Sequence, residues 1–225
     1  MSRLHDMGGR FGDGPVAPDF GQEPVFKEEW HGRALALTVA SGFLRQWNLD
    51  EGRHARECLA PMDYTAFSYY EKWLAGLTDI LVAKGLVTPE ELSTGQAALD
   101  VSDVAQHKLT QESVAESLAR GGPSERQTDE TPKFALGEQV TTISAGNRSV
   151  AGGHTRLPSY AASCSGRIVT VHPPHVFPDA NAHGYGEAAE TLYTVAFKAG
   201  DLWQHPENPT DEVMLDLWQS YLETP

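Results

Sequence analysis

Two arginines stand where an anion could be held. Arg53 lies within a short helical stretch beside His54, and Arg156 follows His154-Thr155 after the pair Gly152-Gly153. A guanidinium stays protonated and offers several donors in one plane, which suits it to anion recognition. The alternative for each is a solvated surface arginine. Tyr69 and Trp73 are four apart on the longest helical stretch and so share a face. They sit off the main apolar stripe, and a second apolar face points to a partner or a pocket. Other candidates are weaker. His172-Pro-Pro-His175 has two imidazoles, but two prolines intervene and no third ligand is near, which favours a loop between strands over a metal site. His183 with Glu187 shares that weakness. Cys58 and Cys164 have no base that sequence can set beside them, and single cysteines are ordinarily small buried hydrophobes. The stretch Gly8-Gly9-Arg10-Phe11-Gly12-Asp13-Gly14 has no preceding strand and no immediately following helix, so neither nucleotide-loop context is met.

These residues need elements to hold them. The first 22 residues are rich in Gly, Pro and Asp and cannot build a core; they are either disordered or an arm that orders against something else. From about Glu23 to Pro61 the apolar spacing is helical, with a break at Asn48 that starts a short helix from Leu49 to about Leu59. The stripe Tyr64, Phe67, Tyr70, Leu74, Leu77, Leu81 predicts one long amphipathic helix stopping at Gly85. Thr88, Pro89 and Glu91 form a helix start with a capping box, and that helix is expected to run to about Leu99. A weaker helix is expected around Glu112 to Arg120. Residues 121–132 read as a linker. Beyond Lys133 the period becomes two. A strand pair broken at Gly137 is expected over Phe134–Ile143, with further strands at Gly166–Val171, Leu192–Phe197 and Val213–Trp218. Short strands separated by Gly and Pro suggest a small SH3-like barrel.

Composition narrows the function classes. At 225 residues the chain is long enough to bury a core, and 40% apolar residues exclude disorder throughout. The formal charge of −14 argues against nucleic acid or an anionic membrane surface as partner. No apolar run approaches the roughly 18 residues of a membrane helix, and the first residues lack a signal-peptide core. Two cysteines cannot make a disulfide scaffold or fill a four-ligand zinc site. A cytoplasmic protein is expected.

Blocks spread along the chain resemble the nitrile hydratase β-subunit. They are His5-Asp6-x-Gly8-Gly9-x-x-Gly12-x-Gly14-Pro15-Val16, Glu23-Pro24-Val25-Phe26-x-x-x-Trp30, Asn48-Leu49-Asp50-Glu51-x-Arg53 and Tyr69-Tyr70-Glu71-x-Trp73. In the second half come Phe134-x-x-Gly137-x-x-Val140, Gly153-His154-Thr155-Arg156-x-Pro158-x-Tyr160, Leu192-Tyr193-Thr194-Val195-x-Phe197, Asp201-Leu202-Trp203 and Asp216-Leu217-Trp218-x-x-Tyr221-Leu222. The resemblance implies an α+β chain: an extended arm over 1–22 wrapping a partner, a helical domain over 23–120, a linker over 121–132, and an SH3-like β-barrel over 133–225. It implies hydration of nitriles to amides, in an α2β2 heterotetramer with an α-subunit. That partner would hold a non-corrin Co(III) or non-heme Fe(III) through oxidised cysteines, with no metal bound by this chain alone. It assigns Arg53 and Arg156 to hydrogen-bond the oxidised sulfurs, and Leu49, Gly52, Tyr69 and Trp73 to the substrate pocket. The sequence departs from the family pattern at Gly52, where a bulky aromatic is usual, at Lys72 in place of a histidine, and at Ala161-Ala162-Ser163 after Tyr160. An activator or metallochaperone of the metal subunit, a scaffold, and a thiocyanate hydrolase-like chain are the alternatives. The activators resemble only the N-terminal half, and in thiocyanate hydrolase the two halves are separate polypeptides.

Overall fold

The structure is a computed structural model and describes His5, Pro18, residues 20–98, Asp100 and residues 102–225. Most of the arm expected over 1–22, including the glycine stretch, lies outside the described residues, as does Leu99. The chain divides into two compact units between Gly121, whose φ of 63° is left-handed, and Gly122.

The helical unit holds α1 (Glu29–Gly42), α2 (Leu49–Glu57), α3 (Pro61–Ala66), α4 (Tyr69–Ala83), α5 (Pro89–Thr94), α6 (Ser102–Ala105) and α7 (Val114–Arg120). Asn48 starts α2 with a full capping box: its side chain accepts from the amides of Asp50 at 3.0 Å and Glu51 at 2.9 Å, and the Glu51 carboxylate accepts from the Asn48 amide at 2.8 Å. The single long helix expected from the aromatic stripe is two helices. Phe67 is extended with ψ 138°, and Ser68 restarts the chain with a second box in which Glu71 accepts the Ser68 amide at 2.6 Å. The apolar period runs across the break, but Ser-x-x-Glu satisfies amides that a helix start otherwise leaves open. The Thr88 box stands where expected, and its helix ends early, at Gly95 with φ 68°. Helices α1 and α2 both pack on α4, burying Ala34, Leu59, Leu77 and Ile80. Gly76 permits the closest approach: a Cβ there would stand 2.6 Å from Arg56 Cγ and 3.2 Å from the Arg56 backbone.

The sheet unit holds β1 (Gln139–Thr142), β2 (Ser165–His175), β3 (Glu190–Lys198), β4 (Glu212–Trp218) and β5 (Leu222–Glu223), with the short helices α8 (Pro178–Asn181) and α9 (Ala199–Leu202). All described pairings are antiparallel, in the order β4-β3-β2-β1-β5. The expected closed barrel is therefore an open sheet. The chain passes from β4 to β5 through a 3-10 turn, Gln219–Tyr221, and β5 pairs with β1, leaving β4 as an edge. Two other expectations are corrected. Gly137, at φ 84°, breaks the first segment so that only Gln139–Thr142 pairs as a strand. The His172–His175 segment is the end of β2 rather than a loop, with a register shift between His172 and Pro174 that absorbs prolines unable to donate to the ladder. The core gathers Val140, Ile168, Tyr193, Val195, Phe197, Leu217 and Tyr221, all nearly inaccessible. The 121–132 segment lies along this unit: the Arg126 amide donates to the Pro174 carbonyl at 2.8 Å, and its guanidinium pairs twice with Glu187 at 2.7 Å.

Candidate functional site

In the helical unit the candidate residues sit on α2 and α4. The capped first turn of α2 places Asp50 inward, where it is buried. Arg53 follows one turn later and donates from Nη1 to Asp50 Oδ1 at 3.0 Å, while 37% of its side chain stays exposed. A buried carboxylate beneath an arginine orients the fork and leaves its outer donors available. Leu49 is 65% exposed and Tyr69 64% exposed, unusual for such side chains and consistent with a covered surface in an assembly. Gly52 faces the indole of Trp47; a Cβ there would lie 3.5 Å from Trp47 Nε1. Tyr69 and Trp73 meet at 5.5 Å between ring centroids.

Arg56, which sequence patterns did not single out, joins this group. Its guanidinium lies 4.7 Å over the Trp73 ring, and burial holds its pKa below the usual arginine range. The signal was present in its helical spacing from Arg53, but its stacking depends on how α2 packs on α4. His54 is the second titratable group on α2. Its hydrogen bond with Cys58, and then that with Glu57, push it up to about 9. The Lys72 ammonium lies 4.5 Å over the Tyr64 ring.

Arg156 belongs to the sheet unit and is exposed, in an irregular segment before the 3-10 turn Ser159–Ala161. Its backbone is held tightly. Its amide donates to the Tyr221 hydroxyl at 2.9 Å, the Thr155 hydroxyl donates to the same oxygen at 3.1 Å, and Tyr221 donates to Asp179 Oδ1. Burial pushes the Asp179 carboxyl up to about 6, against the lowering effect of those hydrogen bonds, and raises the Tyr221 phenol well above its ordinary value. Cys58 is exposed at the end of α2, and Cys164 is half-buried in the sheet unit with its thiol pushed up by burial. Leu49, Gly52, Arg53, Tyr69 and Trp73 thus share one unit, and Arg156 lies in the other.

Residues 1–121 match the family model for the nitrile hydratase beta subunit, N-terminal, and residues 123–224 match its C-terminal counterpart. The chain belongs to the nitrile hydratase β-subunit family. It is 37% identical over 226 residues to a nitrile hydratase subunit beta of Pseudomonas putida, with 99% of each chain covered. It is 33% identical over 227 residues to the low-molecular weight cobalt-containing nitrile hydratase subunit beta of Rhodococcus rhodochrous, again with 99% of each covered. The cobalt-containing nitrile hydratase subunit beta of Pseudonocardia thermophila is 32% identical over 99% of this chain and 96% of its own. Both halves of a nitrile hydratase β-subunit are therefore present in one chain. The N-terminal match holds Leu49, Gly52, Arg53, Tyr69 and Trp73, and the C-terminal match holds Arg156. No described helix is long and apolar enough to cross a membrane.

Proposed function

We propose that this chain is the β-subunit of a nitrile hydratase, active only with an α-subunit in an α2β2 assembly, converting R–C≡N to R–CO–NH2. The observation that carries the reading is the surface of α2 and α4: an arginine braced by a buried carboxylate, among exposed Leu49 and Tyr69 side chains that a monomer would cover. The glycine-rich N-terminal arm wraps the partner in this reading. The sheet, in an SH3-like strand order whose ladder stays open, supports the Arg156 segment. The reducing cytoplasm keeps Cys58 and Cys164 as thiols.

The guanidinium donors of Arg53 and Arg156 suit anions. Guanidinium groups donate hydrogen bonds and do not ligate cations, and the two cysteines lie in different units. In this reading the Co(III) or Fe(III) belongs to the α-subunit, where it would supply Lewis-acid activation of nitrile or water. Arg53 and Arg156 donate to the oxidised cysteine oxygens of the partner, and in a dry interface such charge-assisted bonds steady anions that would otherwise be costly to bury. Tyr69 orients groups near them with its hydroxyl. Leu49 and Trp73 form apolar walls. Gly52 brings no side chain of its own to the pocket, which is then wider than one with an aromatic at that position.

The test is coexpression with the cysteine-rich α-subunit, metal analysis of the complex and of this chain alone, and an assay of amide formation. The complex is expected to carry about one cobalt or iron per αβ pair and to hydrate nitriles. Arg53→Lys, which keeps the charge and loses the fork, is expected to lower turnover by about a hundredfold while assembly persists. Full turnover in Arg53→Lys, or metal bound by this chain alone, would overturn the assignment.

A further inference from the structure

We propose that Asp179 and Tyr221 are positioning residues for Arg156, forming a clamp that sets the backbone from which its guanidinium projects. The proposal rests on the reading of Arg156 as a site residue. Residues 154–157 belong to no helix or strand, yet side chains from distant segments pin them one after another. The His154 amide donates to His183 Nε2 at 2.9 Å. Asn147 Nδ2 donates both to the His154 carbonyl at 2.7 Å and to the Asp179 carbonyl at 2.9 Å, tying the segment to α8. Thr155 and Arg156 both donate to the Tyr221 hydroxyl, which donates onward to the Asp179 carboxylate. Leu157, 1% exposed, then enters the core. The turn before them admits only glycine, since a Cβ on Gly153 would lie 2.7 Å from His183 Nε2.

The Arg156 side chain contrasts with its backbone. Among the described residues its guanidinium has no hydrogen-bond or ion-pair partner, so within this chain the backbone is what fixes the point from which the side chain projects. The clamp is also an expensive way to hold a loop. Asp179 is 5% exposed and Tyr221 1%, and a buried carboxylate and phenol are harder to accommodate than two apolar side chains of similar volume. A fully bonded buried network fixes geometry in a way that apolar packing does not. The geometry fixed here is that of the Arg156 amide and the two residues before it.

The experiment uses the metal-loaded complex with the α-subunit and a double-mutant cycle. Tyr221→Phe keeps the ring and removes the shared hydroxyl, Asp179→Asn removes the acceptor charge, and Thr155→Val removes one arm if Tyr221→Phe fails to assemble. Each is expected to lower kcat by roughly tenfold to a hundredfold with KM little changed, the signature of a misplaced group that acts in the reaction step. In an Arg156→Ala background the same changes are expected to lower kcat no further, because the clamp acts only through Arg156. Additive losses, or wild-type kcat in Tyr221→Phe, would overturn the proposal. If Arg156→Ala alone retains full turnover, the site reading of Arg156 fails instead. Hydrogen exchange then still decides on the clamp: the Arg156 amide is expected to exchange at least about tenfold faster in Tyr221→Phe, and unchanged exchange refutes it.

Discussion

The two units hold their candidate arginines by opposite means. The bonds that start α2 and receive Arg53 lie within one short stretch: Asn48 caps α2, Glu51 closes the box, and Asp50 receives the guanidinium three residues before it. Arg156 has no helix around it. Its amide partner is 65 residues away, the next link from Tyr221 to Asp179 spans 42, and the His183 contact spans 29. A helix start is a local device and tolerates change elsewhere, whereas a pinned loop is only as good as the distant core that carries the pins. Damage to the sheet core should therefore reach Arg156, while damage to the helical packing should reach Arg53 only where α2 itself moves.

Gly166→Ala is the strongest way to break the sheet side. A Cβ there would lie 2.5 Å from Val195 Cγ1 and 2.8 Å from Phe197 Cε1, both in the nearly inaccessible core of β3. Neither neighbour is a flexible end that can swing away. Destabilisation of about 3 kcal/mol is expected, seen as a lower denaturation midpoint at unchanged slope. The matching test on the helical side is Gly76→Ala. The added methyl meets Arg56 Cγ at 2.6 Å and its backbone at 3.2 Å, but alanine recovers helix propensity. A net loss of about 1–2 kcal/mol is expected, together with loss of the Arg56 stack on Trp73, readable as a change in tryptophan fluorescence.

That contrast also explains what was legible in the sequence. The Asn48 start, the Thr88-Pro89-Glu91 start and the strands at 166–171, 192–197 and 213–218 are written in adjacent residues, and each appears in the structure. The split at Phe67–Ser68 was hidden because the aromatic period continues through it, although the Ser68–Glu71 box was present to be read. Arg53 and its helix were accessible for the same local reason. Arg56 on Trp73 was not, since it needs two helices packed. Asp179 and Tyr221 could not be found at all, because only the folded sheet unit brings them to Arg156. The open sheet was missed because strand count does not specify whether the first and last strands pair.

The clamp has a pH signature in the acid range. Burial raises Asp179 from an ordinary carboxyl value to about 6, so its protonated form is favoured in the folded state. With the folded pKa above the unfolded one, this stabilisation is fully present below about pH 4 and is lost as pH rises through about 6. The sheet unit is expected to gain on the order of 1–2 kcal/mol from this group between pH 7 and pH 4, and Asp179→Asn should remove that slope. Equal slopes in the two proteins would show that Asp179 is solvated more than its geometry allows. His54 adds a window of the same sign at higher pH on the helical side: raised to about 9 by Cys58 and Glu57, it stabilises below about pH 6.5 and loses that contribution as pH rises through 9.

The smallest change sharpens the comparison most. Asn48→Ala removes a cap whose two bonds to the Asp50 and Glu51 amides begin α2, at an expected cost of about 1 kcal/mol. Because the cap is local, its loss should appear first as faster hydrogen exchange at those two amides, with protection in the rest of the unit nearly kept. Arg53 would still reach Asp50, but from a fraying turn, and turnover of the complex should fall by only a few-fold. In Tyr221→Phe the exchange change should instead appear at Arg156, far in sequence from the altered residue. If Asn48→Ala deprotects α4 as strongly as α2, the start of α2 is held by packing rather than by its cap, and the two arginines are supported alike after all.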